Sequence, residues 1–196
     1  MGRRKQTAAE LNRRRAELMG HAGAVFATHG YHGATMELIA EAAQCSPATL
    51  YTYFQGKADL FQAILDEVQE EILALLEADL PDGLGTRPTL LWMMERVGAL
   101  IDRHRHLVVT RLHQLQGGHA QPTNARMRAG LVGFYREVFA AGQAAGEVRR
   151  DRDPLALAIA FDGMSVGVAT QRLLEDESPL ANIAELVDLF FEGAAP

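Results

Sequence analysis

The chain has little cysteine and no long apolar segment. Cys45 is the only cysteine among the 196 residues, which excludes a disulfide framework and a thiolate metal cluster. No apolar run approaches the ~18 to 20 residues that a membrane-spanning helix needs, and the N-terminus lacks the hydrophobic stretch of a signal peptide. We therefore expect a cytoplasmic protein without a membrane partner.

Charged residues are also relatively few. They make up 22% of the chain against 48% hydrophobic residues, a composition typical of a packed globule. The net charge of −6 is unevenly distributed, because residues 1–60 hold seven Lys or Arg against five Asp or Glu, whereas the remainder holds 12 against 20. Six of the first fifteen residues are basic. Such an arm is either a solvated tail or a contact for DNA phosphates or the minor groove.

Strand signals are scarce and helical spacing dominates, so we predict an all-α fold of about nine helices. Two of them are short and lie within residues 35–57. A first helix is predicted over about 8–28, ending at Gly30, and a long helix over about 57–76. Further helices are predicted at about 88–103, 106–116, 123–146, 154–175 and 179–192.

The segment TMELIAEAAQCSPATLYTYFQGK, residues 35–57, predicts a short helix, a tight turn and a second short helix. Thr35 suits the N-cap of the first helix because its hydroxyl can accept from a free backbone N–H. Ser46 followed by Pro47 suits the start of the second helix. Helix, turn and helix in this order are typical of DNA-binding proteins.

The second helix has the two faces that binding in a DNA major groove requires. At about 100° per residue, Leu50 and Phe54 point the same way, towards a core. The opposite edge carries small side chains that let the backbone approach base edges closely. These predicted base-reading residues are Ala48, Thr49 and Thr52.

Side chains of suitable length for phosphate contacts flank this second helix. Hydroxyl and ammonium groups are common donors to phosphate oxygens. The residues that we predict to hold phosphates are Thr35, Ser46, Tyr51, Tyr53 and Lys57, and we include Pro47 in the predicted DNA-binding surface.

The longer segment AVFATHGYHGATMELIAEAAQCSPATLYTYFQGKADLF resembles the DNA-binding domain of the TetR family of bacterial transcriptional regulators. The resemblance covers about residues 14–65 and includes the glycine-aromatic pair, the threonine cap, the I-A-x-x-A core and the L-Y-x-Y-F-x-x-K string. The chain departs from the family at Gln44, where a turn glycine is usual. A left-handed conformation at this position would cost on the order of 1 kcal/mol.

The resemblance implies a three-helix DNA-binding head over 1–56 and a helical effector-binding and dimerisation body over 57–196. It further implies a homodimer on a pseudo-palindromic double-stranded operator, with half-sites about one turn, ~10 base pairs, apart. We predict a repressor that is released by a small-molecule effector and has no catalytic residue, cofactor or metal. An activator, or a regulator without an effector, is the alternative.

The last two helices are the most apolar part of the chain, and the resemblance implies that they form a four-helix dimer bundle. Packing inside a monomer core is the alternative. Asp162 interrupts the apolar sequence and needs a partner, across the dimer or on a ligand. The predicted interface residues are Phe161, Asp162, Gly163, Gly167, Leu186 and Phe190.

The resemblance also implies a ligand cavity within the body. Bulky side chains of the body would line it, although core packing is the alternative for each of them. The predicted lining residues are Trp92, Met93, His104, Met127, Phe134, Phe161 and Met164.

Two further motifs suggest other chemistry. The run from Gly163 to Gly167 matches the G-x-S-x-G nucleophile elbow of hydrolases, but no strand precedes Ser165 and no histidine follows it, so helix packing is favoured. A histidine-rich stretch with neighbouring arginines suggests a metal or an anionic effector, although its spacing does not suit zinc. These histidines are His104, His106, His113 and His119.

Overall fold

The computed structural model describes residues 7–80, 83–116 and 125–194. Within these ranges the chain forms nine α-helices and no strand, which confirms the all-α prediction. No described helix combines the length and the hydropathy needed to cross a bilayer. The helices are α1 Ala8–Gly33, α2 Met36–Ala42, α3 Pro47–Tyr53, α4 Lys57–Leu76, α5 Thr86–Arg103, α6 Arg105–Gln116, α7 Ala125–Ala145, α8 Pro154–Leu174 and α9 Ile183–Ala194.

Side-chain caps determine where several helices begin. The Thr7 hydroxyl accepts from the backbone N–H of Glu10 at 3.2 Å, and the Glu10 carboxylate accepts from the backbone N–H of Thr7 at 2.8 Å. This reciprocal capping box satisfies two N–H groups that have no partner within the helix. At α8, Asp153 caps the helix and Pro154 occupies its first turn. Both starts therefore follow from local sequence.

The main difference from the predicted helices is at the end of α1. The helix continues to Gly33, but Gly30 interrupts it with a φ of 65° and a ψ of 172°. Glycine adopts this conformation without a Cβ penalty. The predicted stop at Gly30 is therefore a break, after which one more helical turn follows in a new direction.

The chain divides into two compact units. Unit 1 consists of Met1–Glu67 and His106–Thr110, and unit 2 of Val68–Arg105 and Arg111–Pro196. The predicted boundary after residue 56 coincides with the start of α4, whereas the compact units divide within α4, after Glu67. Residues of α4 consequently belong to both units.

The core of unit 1 holds the first four helices together. Leu50 of α3 is fully buried, and so is Leu60 of α4. Phe61 forms edge-on contacts with Phe26 and Tyr31, with ring centres 5.1 and 5.0 Å apart. Burial of each large apolar side chain contributes about 1.5–3 kcal/mol. This core fixes the position of α3.

The core of unit 2 is centred on Phe161 of α8. Its ring is fully buried and lies 5.0 Å from the ring of Tyr135 and 5.1 Å from that of Phe190. Edge-on aromatic contacts such as these add about 0.5–1.5 kcal/mol each beyond the buried area. Close packing also joins α7 to the start of α5, where a Cβ at Gly142 would overlap Thr86 Oγ1.

Candidate nucleic-acid interface

The two predicted caps of the helix-turn-helix segment are present. Thr35 Oγ1 accepts from the backbone N–H of Leu38 at 3.2 Å, and Ser46 Oγ accepts from that of Thr49 at 3.2 Å. The hydroxyls of Ser46 and Thr49 also bond each other at 2.9 Å. The start of α3 is therefore held by its own side chains, before any contact with DNA.

The turn between α2 and α3 contains a left-handed residue. Gln44 stands where the family usually has a glycine, and it has a φ of 50°. Its backbone N–H donates to Glu41 O at 3.0 Å, and that of Cys45 donates to Ala40 O at 2.9 Å. The turn keeps its hydrogen bonds at the cost of a strained conformation at Gln44.

Helix α3 buries one edge and exposes the other. Leu50 and Phe54 are 0% and 2% exposed, as their spacing predicted. On the far side Ala48 and Thr52 are exposed, and Thr49 is half-buried. The orientation of the helix thus agrees with the predicted one, and base contacts by its outer edge stay a prediction.

The flanking side chains differ in their surroundings. Tyr51 is 54% exposed, whereas Tyr53 packs against the core of unit 1. Lys57 Nζ donates to Tyr31 O at 2.6 Å and to Ala34 O at 2.8 Å. An ammonium has three donors, so these bonds leave at most one for a phosphate. Lys57 was predicted as a free point charge and is instead bound to the end of α1.

A cleft lies between the first turns of α1 and the outer side of α3. Its volume is about 560 Å³. From the sequence we predicted only a general basic arm for the arginines of α1 and did not place them beside α3. Arg14 lies one helical turn before Leu18, a residue of the apolar stripe of α1, and this spacing is the signal that could have done so. The residues that line the cleft are Ala9, Glu10, Arg13, Arg14, Glu17, Thr49, Thr52 and Tyr53.

Glu17 holds both arginines of this cleft. Its carboxylate accepts from Arg14 Nη1 at 2.9 Å and from Arg13 Nε at 3.2 Å. The hydrogen bond from Arg14, helped by Arg13, lowers the pKa of the Glu17 carboxyl below its ordinary value. Glu17 is therefore ionised at neutral pH, and a phosphate that approaches the arginines must compete with it.

The comparisons with known proteins agree with this geometry. The profile of bacterial regulatory proteins of the tetR family matches residues 18–64. The probable acrEF/envCD operon repressor of Escherichia coli (strain K12) is 29% identical over 181 residues, which cover 87% of this chain and 80% of that protein. Residues 18–64 form a DNA-binding domain of the TetR family. The resemblance inferred from the sequence is thereby confirmed.

Another relative matches over a shorter length, and a solved structure shares the fold. The transcriptional regulator UidR of Escherichia coli (strain K12) is 39% identical over 69 residues, which cover 35% of this chain but only 34% of that relative. SmeT, the repressor of the Stenotrophomonas maltophilia multidrug efflux pump SmeDEF, has the same fold, with a TM-score of 0.73 and 18% identity over 93% of this chain and 90% of that one. The TetR family is a class of regulators and not of enzymes.

Four of the six predicted dimer residues belong to α8, where they lie on two different faces. Gly163 and Gly167 are exposed. Phe161 is fully buried, and Asp162 is 2% exposed with its carboxylate 2.8 Å from Arg128 Nε of the same chain. Neither of these two lies on the outer surface, because both side chains are already buried within the single chain. We therefore remove Phe161 and Asp162 from the predicted interface.

The exposed face of α8 is apolar over most of its length. Ile159 is 53% exposed and Val166 47%, and Leu189 of α9 is 62% exposed. The predicted Leu186 and Phe190 are half-buried and pack against the core of unit 2. The exposed face, which we call the α8 stripe, consists of Leu155, Ile159, Gly163, Val166 and Gly167.

Most of the predicted cavity residues belong to the core instead. Met93 and Phe161 are fully buried in it, and Met127 and Met164 pack against it. The correction has a simple cause, since bulky apolar side chains at helical spacing fill the space between helices. Phe134 does line a cavity of about 500 Å³, formed by residues from the end of α4, the start of α5 and α7.

The other two predicted residues, Trp92 and His104, lie beside charged side chains of their own unit. The Trp92 ring lies 4.3 Å from the guanidinium of Arg96. His104 Nε2 lies 3.7 Å from a carboxylate oxygen of Glu71. Neither residue lines the 500 Å³ cavity or the smaller one of about 80 Å³ between α5, α7, α8 and α9.

The nucleophile-elbow interpretation of Ser165 is wrong. Ser165 lies within the continuous helix α8, and its hydroxyl donates to Phe161 O at 2.7 Å. A nucleophile elbow needs a sharp turn between a strand and a helix. The G-x-S-x-G match is therefore a coincidence of helix packing.

The histidine-rich stretch does not assemble a site in the described residues. His106 and His113 are exposed, and His119 lies outside the described residues. Among the residues that the structure describes, no three His, Cys, Asp or Glu side chains lie close enough to hold a metal ion. Of the neighbouring arginines, Arg105 pairs with Asp102 and Asp176, which weakens the case for an anionic effector there.

Proposed function

We propose that this protein is a transcriptional repressor that binds a pseudo-palindromic operator in duplex DNA as a homodimer. The observation that carries the proposal is the orientation of α3, whose small side chains at Ala48 and Thr52 face outward opposite the buried Leu50. A helix with a buried edge and a small polar outer edge fits the major groove. One relative, the probable acrEF/envCD operon repressor, is named as a repressor, and so is SmeT, which has the same fold.

In this proposal the outer edge of α3 reads bases and its surroundings hold phosphates. Thr52 Oγ1 donates to Ala48 O at 3.0 Å, so its methyl group is the part free to contact a thymine methyl. Arg13 and Arg14 would take phosphates once Glu17 releases them, and the exposed Tyr51 would take another. Phosphate contacts position the helix, and base contacts select the sequence.

The α8 stripe supports the homodimer. A contiguous apolar patch on the surface of a folded chain marks an interaction site. Gly163 and Gly167, one helical turn apart in the stripe, leave room for a second helix to approach closely. A two-fold axis through this face would give the dimer two copies of α3, as a palindromic operator requires.

We further propose that an effector bound in unit 2 releases the operator. Residues of α4 belong to both units, so a displacement of this helix would reach α3 through the unit 1 core. Two-site coupling of this kind is typically worth about 1–3 kcal/mol. Since its proposed partner is duplex DNA, the protein would act in the cytoplasm.

Selection of duplexes from a random pool tests the proposal. We expect the purified chain to enrich an inverted repeat with half-site centres ~10 base pairs apart, and sedimentation to give two chains per duplex. A variant with Ile159→Asp and Val166→Asp in the α8 stripe should be monomeric and should lose the requirement for both half-sites. Failure to enrich any duplex at low salt would refute the proposal. A reporter gene behind the selected repeat then separates repression from activation.

A further inference from the structure

The 500 Å³ cavity of unit 2 has a largely apolar wall. Its volume lies within the ~300–1,000 Å³ that small-molecule sites occupy. Leu76, Leu84, Phe134 and Val138 are among the apolar side chains that line it. The space therefore suits a ligand with a sizeable apolar body.

Carboxylates are the only charged groups among the described lining residues. They belong to Asp79, Glu137 and Glu147, and no Lys, Arg or His is among these residues. Asp79 and Glu137 are exposed, and neither makes a hydrogen bond or ion pair within the described part of the chain. Like charges without partners around an apolar space attract a cation and repel an anion.

A helix N-terminus at this cavity could attract an anion, but a carboxylate already occupies it. The first turn of α5 lines the cavity, and its N-cap Gly85 has no side chain to cap the helix. Glu147 Oε2 accepts from the backbone N–H of Thr86 at 2.6 Å, and this bond lowers the pKa of Glu147. An ionised carboxylate therefore neutralises the helix end.

From this geometry we infer that the cavity binds a lipophilic organic cation. Asp79 and Glu137 would face the positive charge, and the apolar wall would cover the rest of the molecule. Binding of the cation stands on the cavity alone. Its action as the releasing effector rests on the proposed function.

Two ions of the same shape and opposite charge test the inference. Tetraphenylphosphonium and tetraphenylborate are titrated into the full chain by calorimetry. We expect one phosphonium site per chain, an affinity that falls as salt is raised, and borate binding at least tenfold weaker at that site. Equal affinity for the two ions, or no phosphonium binding, would overturn the inference.

Matched variants locate the site. Glu137→Gln and Asp79→Asn should each weaken phosphonium binding about tenfold. Glu95→Gln removes the same charge from an exposed position of α5 outside the cavity and should leave the affinity within twofold. Ala141→Phe, which fills the cavity without changing its charge, should abolish binding. If Glu95→Gln weakens binding as much as Glu137→Gln, the attraction is that of the whole acidic surface and the inference fails.

A duplex-binding assay keeps the two proposals apart. Release of the duplex by phosphonium in the wild type, but not in Glu137→Gln, would support the cation as effector. Phosphonium binding by a chain that ignores duplex DNA would uphold the cavity inference and refute the proposed function. If the chain binds duplex DNA but not phosphonium, the proposed function stands and the cavity inference is refuted.

Discussion

The ammonium group of Lys57 binds the backbone carbonyl of Tyr31 at 2.6 Å and lies 4.6 Å from the centre of the Tyr31 ring. A second bond reaches the carbonyl of Ala34 at 2.8 Å. Together these contacts tie the first residue of α4 to the end of α1. Lys57 is thus a positioning residue for the helices that carry the proposed DNA surface.

Replacement of Lys57 by methionine should therefore lower stability. Lys57→Met keeps an apolar stem but leaves two carbonyls without their charged donor, so we expect a loss of about 1.5–3 kcal/mol in urea denaturation. The slope of duplex affinity against salt should not change. A slope reduced by about one phosphate, with stability unchanged, would instead place the ammonium on DNA.

Glycine at position 44 should stabilise the protein. Gln44 has a φ of 50°, a conformation that glycine adopts freely and other residues adopt at a cost of roughly 1–2 kcal/mol. Allowing for the greater freedom of glycine in the unfolded chain, we expect Gln44→Gly to gain about 1 kcal/mol in thermal or urea unfolding. Gln44→Ala serves as the control and should gain nothing. An equal gain in both variants would show that the side chain, not the backbone, is responsible.

Removal of the Glu17 charge should strengthen duplex binding. Glu17→Gln frees Arg13 and Arg14 for phosphates, so we expect a several-fold higher affinity and a steeper salt dependence. Glu41→Gln is the matched control, because it removes an exposed acid of unit 1 for which no arginine partner is present in the described residues. Similar gains in affinity in both variants would show that the loss of any negative charge from unit 1 strengthens binding, and that release of the two arginines is not the cause.

The ion pairs of Glu17 with Arg14 and Arg13 should depend on pH. The pKa of Glu17 is lowered in the folded protein by Arg14 and Arg13. The stabilising pair is therefore present above the ordinary carboxyl pKa and is lost as the pH falls through the lowered value. The difference in duplex affinity between Glu17→Gln and the wild type should therefore be present at neutral pH and disappear in acid.

Replacement of Arg128 should lower stability, because its guanidinium pairs with the buried carboxylate of Asp162. Asp162 is 2% exposed, and Arg128 Nε lies 2.8 Å from its carboxylate. Because the arginine is half-exposed, we expect Arg128→Leu to cost about 2–3 kcal/mol, less than the ~3–5 of a fully buried pair. The double variant Arg128→Leu with Asp162→Leu should recover most of that loss. A neutral Arg128→Leu would show that Asp162 does not depend on its partner.

Local features of this fold could be predicted from the sequence. The caps at Thr35 and Ser46 depend on side chains within three residues of the groups they satisfy. The buried edge of α3 follows from the spacing of Leu50 and Phe54 alone. Helix starts and the orientation of a short amphipathic helix are therefore readable without coordinates.

Features that depend on distant partners could not be predicted. Lys57 bonds a carbonyl 26 residues earlier, and Asp162 pairs with an arginine 34 residues earlier. The sequence of α8 is apolar on all sides, so periodicity could not separate the buried Phe161 from the exposed Gly163. Which bulky side chains line a cavity depends on the gaps between packed helices, which the sequence does not specify.

Equilibrium titration of the selected duplex and a scrambled duplex, at low and moderate salt, tests the central claim most directly. The outward edge of α3 predicts a preference for the selected duplex of at least ~10³. Thr52→Ala should reduce this preference about fourfold, since the methyl group that it removes is worth about 0.8 kcal/mol when buried, and should leave the salt slope unchanged. Equal affinity for both duplexes, or a preference that Thr52→Ala does not alter, would contradict the account.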